Sequence, residues 1–145
     1  MFYIKQFVYA FLSTAGFGVF FNIPKDSIIK SSLGGAMSWV VYIISVRLFS
    51  SSIGGTLLAA ITVGFLGEFM AKHFKKPATI FIIPGIVPLV PGAGMYYTML
   101  EVINKDFISA AELGTEAIFI ALAIAIGIIV SSSFSRALLN QKTKR

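Results

Sequence analysis

The segment from Ala78 to Leu100 most constrains the fold, because it is long enough to cross a membrane yet contains three prolines. It reads "ATIFIIPGIVPLVPGAGMYYTML", 23 residues without a formal charge. A helix of about 20 apolar residues spans the hydrocarbon layer of a bilayer. Proline inside a helix removes a backbone hydrogen bond and clashes with the preceding turn. The segment therefore predicts a membrane span whose helix is interrupted.

The composition places the whole chain in the membrane class. Of its 145 residues, 57% are hydrophobic and only 12% are charged, and the mean hydropathy is +0.87. Soluble domains contain about 25% charged residues. With no cysteine and one histidine, thiolate chemistry and a histidine-built metal centre are excluded, so we expect no cofactor and no metal. The basic residues flank apolar runs, which indicates lipid contact and no nucleic-acid partner.

We predict an all-α polytopic membrane helix bundle that forms a single membrane domain over residues 1–145. Its five spans are expected at about residues 3–21, 31–49, 53–71, 78–100 and 115–138. An alternative for the first run is a signal peptide, because Ser13 and Ala15 are small residues at positions that a signal peptidase favours. The run continues to Phe21 and leads into four further spans, which favours a membrane span.

The distribution of Lys and Arg predicts the orientation of these spans. Nine basic residues fall on one side of the five-span arrangement and three on the other. Because cytoplasmic loops are enriched in Lys and Arg, we expect the N-terminus outside and the C-terminus in the cytoplasm. Four acidic residues lie before the fifth span or, for Glu116, at its approximate start, and we expect them in an outer loop: Glu101, Asp106, Glu112 and Glu116.

The proline-rich span is expected to consist of two half-helices joined by irregular backbone. We place the first half at about Thr79–Ile83, a loop over residues 84–92, and a second half that begins near Ala93. Prolines 84, 88 and 91 leave carbonyl groups without their usual donors, and irregular backbone at membrane depth is tolerated only against protein or a watery cavity. The glycines add backbone freedom and allow close approach of a ligand.

This broken span is our candidate substrate site. Free N–H groups at the start of the second half-helix suit a carboxylate, and transporters place substrates at such breaks. The candidate residues are Pro84, Gly85, Pro88, Pro91, Gly92, Ala93, Gly94, Tyr96 and Tyr97. Two alternatives stay open: the prolines kink a scaffold that binds nothing, and the tyrosines form an interfacial aromatic belt.

Glu68 is the candidate proton-coupling residue, because it is the one acid inside an otherwise apolar run. A carboxylate at membrane depth is costly and marks a proton or substrate pathway. Lys72 follows four residues later on the same helical face, so an ion pair near the membrane surface is the alternative.

Three stretches carry a resemblance to a known family: "FFNIPKDSIIKSSLGGAMSW", "GFLGEFMAKHFKKPATIF" and "PGIVPLVPGAGMYYTML". In this order and spacing they resemble the small-subunit type of the threonine/serine exporter family, from about Phe17 to the end of the fifth span. The resemblance implies a five-span half of a proton-driven bacterial inner-membrane exporter that works with a larger subunit. It also implies export of threonine and serine, or of dicarboxylates such as succinate.

The resulting hypothesis is a transporter subunit, not an enzyme, that exports a small carboxylate-bearing metabolite. Five spans leave little protein for two gates around a cavity, so a larger subunit or a second copy is expected as partner. The rival hypothesis is a structural or assembly subunit without its own substrate site. An intramembrane enzyme is disfavoured because the sequence contains no HExxH, GxSxG or paired aspartates.

The five-span arrangement predicts that a reporter fused after Arg145 lies in the cytoplasm and that one inserted at Lys105 lies outside. The physical basis is the unequal division of basic residues. Accessibility of single cysteines at these two positions to a membrane-impermeant thiol reagent provides the measurement. A cytoplasmic Lys105 would contradict the arrangement.

Overall fold

The computed structural model describes residues 1–143, which fold into helices joined by short turns. The elements are α1 (Phe2–Phe20), α2 (Lys25–Phe49), α3 (Ser52–Phe74), α4 (Thr79–Ile86), a 3₁₀ turn (Val87–Leu89), α5 (Gly92–Ile103) and α6 (Phe107–Thr143). No strand occurs in this range, and the predicted all-α bundle is confirmed.

Three helices are long and apolar enough to cross a membrane within the described residues: α2, α3 and the part of α6 from Phe107 to Ser135. The bent pair Thr79–Leu89 and Gly92–Ile103 is either a fourth, broken span or a re-entrant loop. Helix α1 is not among them, since Lys5 and Gln6 lower its hydropathy. It nevertheless packs antiparallel along α2, from Tyr3 against Arg47 to Gly18 against Ile28. It therefore covers the same depth as α2, and a fifth span remains a prediction.

Helices α2 and α6 begin before the predicted spans, because residues near their starts such as Asp26 and Glu112 are charged and yet helical. Helix α2 begins at Lys25, six residues early, and α6 begins at Phe107, eight residues early. The expected acidic outer loop is therefore mostly helix, and the turn between α5 and α6 is only residues 104–106. At 1.5 Å per residue, the 37 residues of α6 extend about 55 Å, well beyond a hydrocarbon layer of about 30 Å.

Helices α3 and α6 run side by side and touch through small residues. A Cβ atom added to Gly64 would lie 1.9 Å from Ser131 Oγ, and one added to Gly127 would lie 2.6 Å from Ala60 Cβ. Small residues at such contacts let transmembrane helices approach closely and gain van der Waals contact. Any side chain larger than glycine at either position would force the two helices apart.

Helices α1, α2, α4 and α3 meet in the same way around two glycines. Thr14 of α1 lies against Gly35 of α2, and Gly85 of α4 lies against Val63 of α3 and the Gly35 backbone. Beside this contact is the apolar core, whose buried members are Ala59, Ala60, Leu89 and Ile124, flanked by the stacked rings of Trp39 and Tyr42. The α4 segment is thus enclosed by protein on several sides.

Polar contacts close the end of the bundle that is predicted to face the cytoplasm. Lys76, after α3, pairs with Asp26 and donates a hydrogen bond to Ser27 Oγ at 3.0 Å, both in the first turn of α2. The Lys30 ammonium lies 3.6 Å from the centroid of the Phe74 ring. These contacts join the start of α2 to the α3–α4 turn.

Asp106 fixes the start of α6, and we predict that this cap makes stability depend on acid pH. The Ser109 hydroxyl and backbone N–H donate to its carboxylate at 2.8 and 3.1 Å and hold the pKa of Asp106 below its ordinary value. A depressed folded-state pKa stabilises the fold above the unfolded-state pKa, and the effect is lost as pH falls through the folded-state pKa. Asp106→Ala should therefore lower Tm at neutral pH.

The measurement is thermal unfolding in detergent across pH. The Tm difference between wild type and Asp106→Ala should begin to shrink near about pH 4 and continue to shrink as pH falls through the folded-state pKa. Asp106→Asn is the matched control, since an amide still caps the helix but does not titrate in this range. A Tm difference that persists undiminished in acid would contradict the assigned role.

Candidate functional site

The proline-rich span is broken, but at a narrower point than the sequence predicted. Helix α4 continues through Pro84 to Ile86, and Val87–Leu89 form a 3₁₀ turn with Pro88 near its start. Only Val90 and Pro91 leave helical geometry, so the expected loop over residues 84–92 is wrong for most of its length. The Val87 N–H donates to the Pro84 carbonyl, and this shorter-range bonding keeps the backbone helical where proline has removed donors.

The break lies between Leu89 and Gly92, where the chain bends by 50°. The Gly92 N–H donates to the Val90 carbonyl at 2.8 Å, and the Met95 N–H donates to the Pro91 carbonyl at 3.0 Å. Ala93 and Gly94 lie between them in the first turn of α5, where helical geometry provides no intrahelical acceptor for an N–H group. The predicted second half-helix and its N-terminal donors are therefore present.

The three candidate glycines differ in what surrounds them. A Cβ on Gly85 would lie 2.5 Å from Val63 Cγ2, one on Gly94 would lie 3.6 Å from Ala117 Cβ, and one on Gly92 would meet nothing within 4 Å. All three lie in helices, and no described glycine has a positive φ. The expected use of glycine for backbone freedom is therefore wrong here. Gly85 provides close packing, whereas Gly92 borders open space.

The start of α5 lines a cavity of about 240 Å³, here called the α5 cavity. Residues 90–94 form one wall, with Tyr42 of α2, Ser52 of α3 and Glu116 of α6 around the rest. Polar groups from four helices therefore share one small space. Pro91, Gly92, Ala93 and Gly94 all lie in its wall, and their role in substrate binding stays a prediction.

A wider recess of about 650 Å³ opens beside the α5 cavity. Its lining includes Ser50, Ser51 and Ser52 from the α2–α3 turn and Glu112, Thr115 and Glu116 from α6. We call it the serine recess. Both spaces have Ser52 and Glu116 in their lining, so they lie next to each other near the predicted outer end of the bundle.

The other candidate residues lie elsewhere. Pro84 and Gly85 are buried in α4 and Pro88 lies in the 3₁₀ turn, and none of them lines the α5 cavity. Tyr96 and Tyr97 are exposed on α5, with their ring centroids 5.4 Å apart, and also lie off the cavity. A substrate-binding role for these five residues stays a prediction.

Glu116, Tyr42 and Ser52 were missed from the sequence because they are distant from the proline-rich span in the chain. Its charge places Glu116 at the boundary between the outer loop and the fifth span, although the apolar residues of "FISAAELGTEAIF" recur with helical spacing. Tyr42 and Ser52 carry no local signal of function. Only the tertiary fold places them against the start of α5.

Glu68 lies far from the α5 cavity, near the opposite end of α3. It is half-buried, and the Ser135 hydroxyl of α6 lies 3.4 Å from its Oε2 atom. Lys72 Nζ donates to the same Ser135 Oγ at 2.8 Å. Glu68 and Lys72 are thus linked through a serine, and no direct ion pair joins them in the described structure. Glu68 and Ser52 are 16 positions apart on α3, about 24 Å along the axis.

Comparison with known proteins supplies the family. A family profile described as "Threonine/Serine exporter, ThrE" matches residues 6–134, nearly the whole chain. The chain belongs to the threonine/serine exporter family. Membership confirms the resemblance that its sequence motifs carry.

A curated relative supports this membership. The threonine/serine exporter of Corynebacterium glutamicum is 27% identical over 127 residues, which cover 88% of this chain and 26% of the relative. The chain therefore spans about a quarter of the length of that relative. No solved structure matches this member of the threonine/serine exporter family.

Substitutions at Gly85 and Gly92 should separate packing from open space. Gly85→Ala places a methyl group against Val63 and should destabilise the fold by about 1–3 kcal/mol. Gly92→Ala meets no atom and should be neutral or stabilise by about 0.5–1 kcal/mol. Thermal unfolding of the two purified variants is the measurement. Equal destabilisation by both would mean that the space beside Gly92 is filled.

Proposed function

We propose that this chain is the small module of a bacterial inner-membrane exporter for a small hydroxy amino acid of the threonine and serine type. One observation carries the proposal: a single cavity combines helix N-terminal N–H groups, a carboxylate and hydroxyl groups. Family membership supports an export function, and the name of the curated relative supports the substrate. Transport, and not catalysis, is the activity that we assign.

The α5 cavity has a partner for each polar group of such a substrate. The Ala93 and Gly94 N–H groups suit the substrate carboxylate, because a helix N-terminus favours negative charge. The Glu116 carboxylate suits the substrate ammonium group, and the hydroxyls of Ser52 and Tyr42 suit its side-chain hydroxyl. A volume of about 240 Å³ lies below the range of about 300–1,000 Å³ for drug-sized ligands, which favours a small metabolite.

The same charges disfavour a dicarboxylate such as succinate. A second substrate carboxylate would share the cavity with Glu116, and like charges at short range repel each other. Succinate is therefore the alternative substrate, and a competition experiment distinguishes it from threonine.

Export also requires a pathway and an energy source that we assign in part to other chains. We propose that a larger subunit of the family, or a second copy of this chain, completes the pathway. Support comes from the relative's additional length and from α5, none of whose residues is buried by this chain. Proton coupling is assigned to Glu68, which lies half-buried near the predicted cytoplasmic end of α3.

Glu116→Gln tests the substrate assignment. The amide keeps the shape but removes the charge that would bind the ammonium group, so threonine binding should weaken about tenfold or more. Glu112→Gln is the matched control, because Glu112 lies one turn earlier on α6 and lines the serine recess but not the α5 cavity. Binding is measured by isothermal calorimetry on the purified assembly.

Two further measurements make the result decisive. Gly92→Val places a bulky side chain at the start of α5, where a Cβ atom has no protein atom within 4 Å. The variant should therefore block substrate binding while the fold is kept. Succinate should compete weakly with threonine in wild type. If Glu116→Gln and Gly92→Val both bind threonine with unchanged affinity, the α5 cavity is not the substrate site and the structural-subunit hypothesis is favoured.

A further inference from the structure

The side chain of Ser135 joins two opposite charges on a neighbouring helix. Ser135 lies on α6 with only 3% of its surface exposed. Its Oγ atom accepts a hydrogen bond from Lys72 Nζ at 2.8 Å and lies 3.4 Å from Glu68 Oε2. A hydroxyl has one donor and two acceptor positions, so it can accept from the ammonium and donate to the carboxylate at the same time. The three groups form a short polar chain between α3 and α6.

This arrangement differs from that of four other buried hydroxyl groups in the bundle. Serine and threonine in helices commonly donate to a carbonyl of their own preceding turn. Ser131, one turn before Ser135, does so by donating to the Ile128 carbonyl, and Ser31, Ser38 and Thr56 follow the same pattern. The Ser135 hydroxyl instead contacts charges on another helix, so its geometry reports on the spacing of α3 and α6.

We propose that Ser135 is a positioning residue that couples the charge state of Glu68 to the contact between α3 and α6. The inference rests on the proposed proton-coupling role of Glu68. An ionised carboxylate is a strong acceptor and holds the Ser135 hydroxyl. A protonated carboxyl is a weaker acceptor, which leaves the hydroxyl with Lys72 alone. Protonation therefore loosens the link between Glu68 and α6.

The α3–α6 contact can carry this change to the α5 cavity. The same two helices line that cavity, through Ser52 on α3 and Glu116 on α6. Between the two ends, Gly64 touches Ser131 and Gly127 touches Ala60, with no long side chain to absorb a displacement. Close-packed interiors transmit displacement because they have little free volume. A displacement of α6 relative to α3 at Ser135 therefore also moves Glu116, which lies 19 positions away on α6, or about 28 Å.

Several charged groups lie near Glu68 and can affect its protonation. Lys72 lies on the same helix, one turn away, and Arg136 follows Ser135 in the α6 sequence. Helix α4 has no titratable residue between Thr79 and Ile86. The charges that α2 brings to this end of α3 are Asp26, which pairs with Lys76, and Lys30, whose ammonium lies over the Phe74 ring.

The experiment is the pH dependence of threonine export by the complete assembly in proteoliposomes. Ser135→Ala removes one donor to the ionised Glu68, which makes protonation easier, so the midpoint should move up by roughly half a pH unit. Ser131→Ala is the matched control: it is an equally buried serine of α6 whose hydroxyl bonds within its own helix, and its midpoint should stay unchanged. An unchanged midpoint in Ser135→Ala, or an equal shift in Ser131→Ala, overturns the proposal.

An isosteric pair covers the case in which Ser135→Ala does not assemble. Ser135→Thr keeps the hydroxyl and should keep the wild-type midpoint, whereas Ser135→Val has the same shape without it and should shift the midpoint upward. Identical midpoints in this pair overturn the proposal. Glu68→Gln separates the proton-coupling role of Glu68 from the positioning role of Ser135. Normal gradient-driven export by Glu68→Gln refutes the proton role itself, whereas loss of export there, together with an unshifted Ser135→Ala, refutes only the positioning role.

Discussion

The contact between α3 and α6 determines how the rest of this small bundle is arranged. At Gly64 and Gly127 the backbones approach so closely that a single added carbon would overlap Ser131 or Ala60. In a membrane, helices gain little from hydrophobic burial against one another, because lipid is as apolar as leucine. Their association depends on van der Waals contact and hydrogen bonds, and both are strongest where small residues allow close approach. The rigid pair that results carries polar groups at both ends.

The geometry of the broken span follows from the need to pair every backbone N–H and C=O group within the membrane. The same need restricts membrane-spanning proteins to helices and closed barrels. Three prolines remove donors, and an open loop of nine residues at this depth would leave many polar groups without partners. The chain instead keeps α4 helical through Pro84 and tightens into a 3₁₀ turn at Val87–Leu89. The non-helical backbone is confined to Val90 and Pro91, next to the α5 cavity. Packing of Gly85 against Val63 holds this unusual helix in place.

The sequence predicts the fold better than the site, for physical reasons. Hydropathy and proline spacing identify the helices and the break near Gly92, because both depend on local composition. Hydropathy fails near the starts of α2 and α6, where residues such as Asp26 and Glu112 are helical and yet charged. The proline rule fails at Pro84, where tertiary packing outweighs local preference. Tyr42, Ser52 and Glu116 are assembled from three helices, and no local pattern indicates that they meet at the start of α5.

The separation of the two polar regions constrains how an exporter of this kind can work. Glu68 and the α5 cavity lie about 24 Å apart along α3, so a proton at one cannot act on a substrate at the other through direct electrostatics across that distance. Coupling between them must pass through a structural element that both regions touch. Only α3 and α6, among the described helices, contribute side chains to both, through Ser52 and Glu68 on one and Glu116 and Ser135 on the other. In the proposed mechanism, protonation of Glu68 therefore alters binding in the α5 cavity through a change in the relative position of α3 and α6, which pack closely at Gly64 and Gly127.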